Sequence, residues 1–378
     1  MLTIPFNKPF LTGSETKYIE QAVASGKISG DGMFTKRCQQ LLEEKYSFKK
    51  CLLTSSCTDA LEMAALLANI QPGDEVIAPS YTFVSTVNPF VLRGAEITFC
   101  DSRTDHPGID ESKIEQLITV RTKAIVVTHY AGIATDMDVV MAIAQRHNLV
   151  VIEDAAHAID SFYKGKPLGS FGHTSAFSFH ETKNIISGEG GMIVLNDHSL
   201  IERAEILRDK GTDRSKFFRG EVDKYGWVDV GSSFLPSDIT AAFLYAQLEN
   251  LQQIQAKRKE IWEQYFNAFK PLQNQGHVQL PHLPEYATNN GHIFYMICNT
   301  PADRDALLAY LQQNGILAIF HYLPLHKSVF YAKKYKGHPL PMAEKYADQL
   351  VRLPLFYTLT QMEQQYIIDK VKEFYAHK

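Results

Sequence analysis

An α/β fold, with a mostly parallel sheet covered by helices and a smaller α+β unit after it, is predicted by three observations. Short apolar runs rich in β-branched residues alternate with longer runs of helical spacing from Cys51 to Leu195, the rhythm of βαβ units. The run Leu149-Val150-Val151-Ile152 has no polar residue to turn toward water, as a strand buried on both faces requires. At 378 residues the chain is too long for one simple core, so two domains are expected. The long helical stretch from Ala241 to Phe269 is the expected link, giving domains of 1–249 and 250–378.

Composition excludes several classes. A hydrophobic content of 45% with 21% charged residues suits a globular enzyme. A net charge of -4 leaves no basic footprint for nucleic acid or an acidic membrane surface. No apolar run approaches the roughly 20 residues needed to cross a bilayer, and Met1 to Phe10 lacks the apolar stretch of a signal peptide. The cysteines, Cys38, Cys51, Cys57, Cys100 and Cys298, are odd in number and scattered without metal-ligand spacing. No metal site is expected, and a reducing cytoplasm fits.

In chain order, Ile4-Pro5-Phe6 is extended and a helix begins at Glu15 with Ser14 as its cap. Glycines make Gly26 to Gly32 a loop. Cys51 to Thr54 reads as a strand, followed by Ser55-Ser56-Cys57-Thr58-Asp59 and an apolar helix from Ala60 to Ala68. Small polar residues opening a helix after a strand either cap it or cradle an anion, since free amides, hydroxyls and the helix dipole converge there. Val76 to Pro79 is a strand with Ser80-Tyr81-Thr82-Phe83 at its carboxyl end. Strands at Glu96–Cys100 and Ala124–Thr128 alternate with helices at Ser112–Ile118 and Asp138–His147. His129 and Tyr130 follow the second of these strands and either border a cleft or fill structural roles. After Leu195 a helix runs to about Lys210, and Gly211 to Gly226 mixes Arg214, Lys216, Arg219 and Lys224 with Phe217 and Phe218. That mixture suits a nucleotide diphosphate, or a solvated loop. Phe294–Cys298 and Ile316–Phe320 read as strands, and Asp303–Asn314 and Gln361–Tyr375 as helices.

Two residues carry the chemistry. Asp154 closes the buried run, at the strand end where open parallel sheets place ligands. Twenty-nine residues on, past the strand-like run Thr174 to Phe179, Lys183 precedes Gly188-Glu189-Gly190-Gly191 and a further strand, Met192 to Leu195. A lysine shielded at such a place loses its proton more readily and offers a free lone pair. A carboxylate for a pyridinium nitrogen and a lysine for an aldehyde are what pyridoxal phosphate (PLP) demands. Singly, Asp154 reads equally as a helix cap and Lys183 as a surface lysine. His157 lies three residues after Asp154, so a first helical turn aims both at one place.

These segments, with Ser80 to Thr86 and Phe217-Phe218-Arg219-Gly220, resemble the DegT/DnrJ/StrS family of PLP-dependent sugar aminotransferases over essentially the whole chain. The resemblance implies the aspartate aminotransferase fold type, with a large PLP domain and a small C-terminal domain, and a homodimer with active sites at its interface. It implies Lys183 and Asp154 as catalytic residues. Ser56, Cys57, Thr58 and Ser178 are implied for the cofactor phosphate, Phe83 for stacking on its ring, and His157 for its hydroxyl, where most relatives have glutamine. Gly231 to Leu235 occupies the place of a motif that reaches the neighbouring subunit's phosphate; this chain departs from it at Ser233 and Leu235, with Ser233 as the candidate contact. Lys27, Tyr130, Arg219, His321, Tyr322 and His326 are the candidate substrate contacts.

The implied reaction moves an amino group from glutamate to dTDP-4-keto-6-deoxy-D-glucose, giving dTDP-4-amino-4,6-dideoxy-D-galactose for surface polysaccharide. Amination at C3 and other stereochemistries stay open. Sugar dehydratases of the same fold carry histidine where this chain has Lys183. A dinucleotide oxidoreductase would show Gly-x-Gly-x-x-Gly after its first strand, which is absent. A regulatory relative without catalysis would have no need of both Lys183 and Asp154.

Overall fold

The structure, a computed structural model, describes residues 3–376. Seven strands form the main sheet: β1 (Cys51–Thr54), β2 (Glu75–Pro79), β3 (Glu96–Cys100), β4 (Thr122–Thr128), β5 (Val150–Asp154), β8 (Thr174–Ser178) and β9 (Gly191–Leu195). A small hairpin, β6 (Phe162–Tyr163) with β7 (Lys166–Pro167), lies between β5 and β8 in sequence. The sheet order is β1-β9-β8-β5-β4-β2-β3. Pairing is parallel from β3 across to β8, while β9 runs against both β8 and β1. The apolar runs thus lie buried on both faces beneath helices, the reason they lack polar alternation.

Glu153, beside Asp154 at the end of β5, is fully buried. Its carboxylate accepts from the Gly169, Phe171 and Gly172 amides at 2.8, 2.8 and 2.7 Å and pairs with His129 Nε2 at 2.9 Å. A buried carboxylate so fully bonded ties the 169–172 crossover to the sheet instead of reaching a cleft. His129 is therefore a satisfied structural histidine.

A second sheet, β10 (Val278–Gln279), β11 (Phe294–Cys298) and β12 (Leu350–Leu353), is antiparallel. Its core gathers Trp262, Tyr265 and Phe269 of the Leu251–Asn274 helix with Val371 of the Gln361–Ala376 helix, and Ile4 joins the same core. Ile4 also pairs with Ile316, so the segment around Ile4 packs with this second unit.

Several expectations are corrected. Ser112–Ile118 forms two 3₁₀ turns, Glu111–Lys113 and Glu115–Leu117, the first capped by the Asp110 carboxylate. Ile316–Phe320 makes only isolated bridges, to Ile4 and to Arg352. The Ala241–Phe269 stretch is two helices, Asp238–Glu249 and Leu251–Asn274, broken at Asn250, whose amide side chain bonds back to Ala246 O at 2.9 Å. A 3₁₀ turn, His198–Leu200, precedes the Ile201–Arg208 helix. Ser14 stands before its helix without bonding it; the Glu15 carboxylate instead accepts from the Thr12 and Gly13 amides.

Candidate active site

Strand register places the candidate residues on one edge. Asp154 pairs with Thr128 on one side and Ala176 on the other, and two residues further along, Ser178 pairs with Gly191, which also pairs with Thr54. Because β9 is reversed, its first residue meets the carboxyl ends of its neighbours. Asp154, Ser178 and the turn after Thr54 thus converge where parallel sheets hold ligands.

The turn after β1 leads into the Cys57–Leu67 helix. Ser56 caps it, its hydroxyl accepting from the Asp59 amide at 3.0 Å, while the Cys57 and Thr58 amides belong to the first turn, which has no intrahelical acceptors. An added Cβ on Gly191 would lie 2.3 Å from the Ser56 carbonyl carbon and 2.4 Å from the Cys57 nitrogen. Only glycine lets the helix start approach β9 so closely. The resulting cradle of amides with the dipole behind it suits a phosphate. Burial pushes the Cys57 thiol well up, so it is not a thiolate nucleophile. Thr58 donates to Ser85 at 2.9 Å.

Asp154 is buried, and burial raises its pKa. Hydrogen bonds oppose that shift: Thr86 donates to Oδ2 at 2.6 Å and the Ala156 amide to Oδ1 at 3.1 Å. Thr82 links Thr86, at 2.7 Å, to Thr128, at 3.1 Å, so a hydroxyl chain backs the carboxylate.

Lys183 sits in a turn closed by Phe179 N to Gly190 O, Glu181 N to Gly188 O and Lys183 N to His180 O, each 2.9 Å. The neighbouring Asn184 is buried and anchors the turn, donating to Gln255 and to Asn290 O and meeting His292 Nδ1 at 2.8 Å. Burial lowers the Lys183 pKa to about 8, against the opposing pull of Cys57 and Asp154. At pH 7 about a tenth of this amine is unprotonated, roughly two hundred times the share of an exposed lysine.

His157 is buried, and burial drives its pKa well below the ordinary value, with the Lys183 charge adding to the shift. The Ala131 amide donates to Nδ1 at 3.3 Å, from a residue whose φ of 58° is left-handed. The neutral ring therefore carries its proton on Nε2, which meets the Tyr322 hydroxyl at 3.2 Å. Tyr322 stacks on His321 with ring centroids 3.6 Å apart, and Tyr130 bonds His321 Nδ1 at 2.6 Å. Phe83 is 56% exposed with its ring 6.2 Å from Tyr322, at the mouth of the same cluster.

Four predicted residues are not brought into it. Lys27 is exposed and donates to Asp31 O at 2.9 Å. Arg219 is shared between Glu205 and Glu221 at 2.7 and 2.6 Å, its charge already matched. Ser233 is exposed and pairs its backbone with Asp209. His326 is buried with both nitrogens engaged, by Ser80 at 2.7 Å and Glu344 at 3.3 Å. Sequence reasoning missed Thr86, Asn184, His292 and Arg352. Thr86 falls in the segment that carried the resemblance; the others are assembled by long-range packing and left no local signal.

The residues present fit PLP: an amide cradle for phosphate, a buried bonded carboxylate for the ring nitrogen, a neutral imidazole N–H and a poised lysine. Fold and site thus define a class, the PLP-dependent aminotransferases. The chain belongs to the DegT/DnrJ/EryC1/StrS aminotransferase family, whose model matches residues 9–372. It is 33% identical to the GDP-perosamine synthase of Escherichia coli O157:H7, over 100% of both chains. Among solved structures, PseC of Helicobacter pylori, an aminotransferase involved in pseudoaminic acid biosynthesis, superposes with a TM-score of 0.91 at 27% identity, covering 100% of each chain. The PMP-form of the Streptococcus pneumoniae sugar aminotransferase Spr1654 gives 0.91 at 26% identity, over 99% of this chain and 100% of that one. The protein is thus a PLP-dependent sugar aminotransferase. The curated relative is named for a GDP-linked sugar, whereas the motif resemblance had pointed to dTDP. Among the described residues no helix is long and apolar enough to cross a membrane, and no group of three or more His, Cys, Asp or Glu is placed to hold a metal.

Proposed function

We propose that the protein transfers the amino group of glutamate to a nucleotide-linked 4-keto-6-deoxy sugar. The observation that carries this is Lys183, half-buried with its pKa near 8 and acted on by the charge of Asp154. PLP would supply the electron sink that acidifies the donor's Cα–H. Lys183 would hold the cofactor and would move the proton at the donor's Cα as general base and acid. Asp154, braced by Thr86, would hold the ring-nitrogen proton, and His157 would face the ring hydroxyl through Nε2–H. Cys57, Thr58 and Ser178 would hold the phosphate, with the Ser56 hydroxyl fixing the helix start. Phe83 would lie on the ring, and Tyr130, His321 and Tyr322 would border the substrate.

Two sugar nucleotides compete: the dTDP-4-keto-6-deoxy-D-glucose suggested by sequence motifs, and a GDP-linked sugar suggested by the 33% identical relative. Exposed Phe217, Phe218, Tyr225 and Trp227 support a homodimer through the 211–230 segment. The five free thiols support a reducing compartment such as the cytoplasm. The test is incubation of holoenzyme with glutamate and each 4-keto sugar, with mass spectrometry of the product. Conversion of either to the amino sugar supports the reading and chooses the nucleotide; 2-oxoglutarate formation with neither sugar overturns it.

A further inference from the structure

One short segment entering β11, Asn290-Gly291-His292, ties together the two turns that carry the site. The Asn290 side chain donates to His157 O at 2.7 Å and to Ile159 O at 2.9 Å, just past β5. Its Oδ1 accepts from the His292 amide at 3.0 Å, and its carbonyl accepts from Asn184, the neighbour of Lys183, at 2.9 Å. The Leu251–Asn274 helix braces the segment from behind, Arg258 donating to Gly291 O at 3.1 Å and to His292 O at 2.7 Å. At Gly291, φ is 62° and an added Cβ would lie 2.7 Å from the Arg258 backbone, so glycine alone lets the two meet.

Hydrogen bonding fixes the state of the His292 ring. The Asn184 Nδ2 faces a backbone carbonyl, which can only accept, so Oδ1 is the end turned to His292 Nδ1 at 2.8 Å. Nδ1 therefore carries the proton and Nε2 a lone pair. Burial keeps the ring neutral, and the charges of Lys183, Arg258 and Arg352 oppose its protonation further. Its face lies on the His157 ring, with centroids 4.2 Å apart and planes 33° from parallel. One uncharged ring is thus bonded at its edge to the residue beside Lys183 and packed by its face on His157.

We infer that His292 is a positioning residue that sets Lys183 and His157 relative to each other, holding the lysine turn through Asn184 and the His157 plane by stacking. The inference rests on the aminotransferase reading, in which both side chains must meet one cofactor. The β5–β8 ladder ends at Asp154 and Ala176, before either residue, so their spacing is left to packing that spans the two turns. An imidazole serves both contacts at once. A cation in its place would add to Lys183, Arg258 and Arg352, and an apolar side chain would leave the buried Asn184 oxygen without a donor.

Two substitutions split the two contacts. His292→Asn puts an amide donor where Nδ1 stands and removes the ring, whereas His292→Phe keeps a ring against His157 and removes the donor. Differential labelling of lysines in the full-length apoenzyme across pH, read by peptide mass spectrometry, reports Lys183 without any cofactor. Wild-type Lys183 should be half-reactive at about pH 8. Cys57, Asp154 and Arg352, whose charges act on it, are present in both variants. In His292→Phe the loosened turn admits water to the amine, and the midpoint should rise by about one pH unit, the scale of one net hydrogen bond. In His292→Asn it should return to within about 0.3 of wild type, while the holoenzyme's visible maximum shifts because the His157 plane is freed. Nitrogen-15 spectra give a check that does not need His292→Phe to fold: the ring signal lost in His292→Asn should be a neutral Nδ1–H imidazole from about pH 6 to 8. A Lys183 midpoint that stays or falls in His292→Phe overturns the inference. An equal rise in both variants, which would leave His292 only filling space, or an Nε2–H ring overturns it too. A wild type whose Lys183 titrates as expected yet carries no pyridoxyl after reconstitution and reduction would sink the aminotransferase reading and leave the bracing of the lysine turn standing.

Discussion

The Thr86 hydroxyl donates to the Asp154 carboxylate at 2.6 Å, joining the turn after β2 to the end of β5. Burial favours the neutral acid at Asp154, and this bond favours the carboxylate. A carboxylate that must hold a pyridinium proton depends on the second effect winning. Thr86→Val is therefore expected to raise the Asp154 pKa further and to cost roughly 1.5–3 kcal/mol of the interaction, a fall of about 10- to 100-fold in turnover. Asp154→Asn should cost on the order of 10²–10³-fold, as for other preorganised charges. Steady-state kinetics of both, with cofactor content measured, check this; Thr86→Val at wild-type rate would show the bond to be idle.

The Ala131 amide fixes His157 as an Nε2–H donor. Glutamine can accept from that amide and donate outward as well. His157→Gln should stay within about threefold of wild type, whereas His157→Leu should lose about three- to tenfold through one uncompensated hydrogen bond. Because burial holds the His157 pKa well below 6.5, no limb of the pH–rate profile between about pH 6 and 8 should belong to it. Profiles of the wild type and His157→Gln should coincide in that range.

Lys183 sets a different pH dependence. Its amine must be neutral to capture the cofactor, so apoenzyme reconstitution should quicken as pH rises and level off above about 8. Its folded pKa lies below the ordinary 10.5, so the unfolded chain binds more protons between those values. The Lys183 contribution to apoenzyme stability therefore grows as pH climbs from about 8 to 10.5. Stopped-flow reconstitution and denaturant titrations across that range test both signs.

Gly191→Ala would drive a methyl against the Ser56 and Cys57 backbone. Neither β9 nor the helix start is free to yield, so a loss of about 1–3 kcal/mol is expected. The displaced helix start should also weaken cofactor phosphate binding. Thermal melting with and without PLP separates the two: the variant should melt lower and gain less from the cofactor.

What was legible in the chain was what strand ends announce. Asp154 and Lys183 stand at the ends of apolar runs, and parallel-sheet geometry carries them to one edge regardless of detail. The reversal of β9 was not legible, since a buried strand reads the same in either direction. Ser112–Ile118 had helical spacing, yet it forms two short 3₁₀ turns. Arg352 was overlooked because its strand has four residues with a charge in the middle, a pattern that local reading assigns to a surface loop. Lys27, Arg219 and Ser233 were chosen from the resemblance, and within this chain they face solvent or acidic neighbours.

The central claim is that Lys183 holds the cofactor. Borohydride reduction of the holoenzyme followed by peptide mass spectrometry measures it directly, with Lys183→Ala alongside. A pyridoxyl group on Lys183, and a variant whose visible band does not respond to reduction, are the predicted result. Pyridoxyl on another lysine, or a wild type that takes up no PLP, would contradict it.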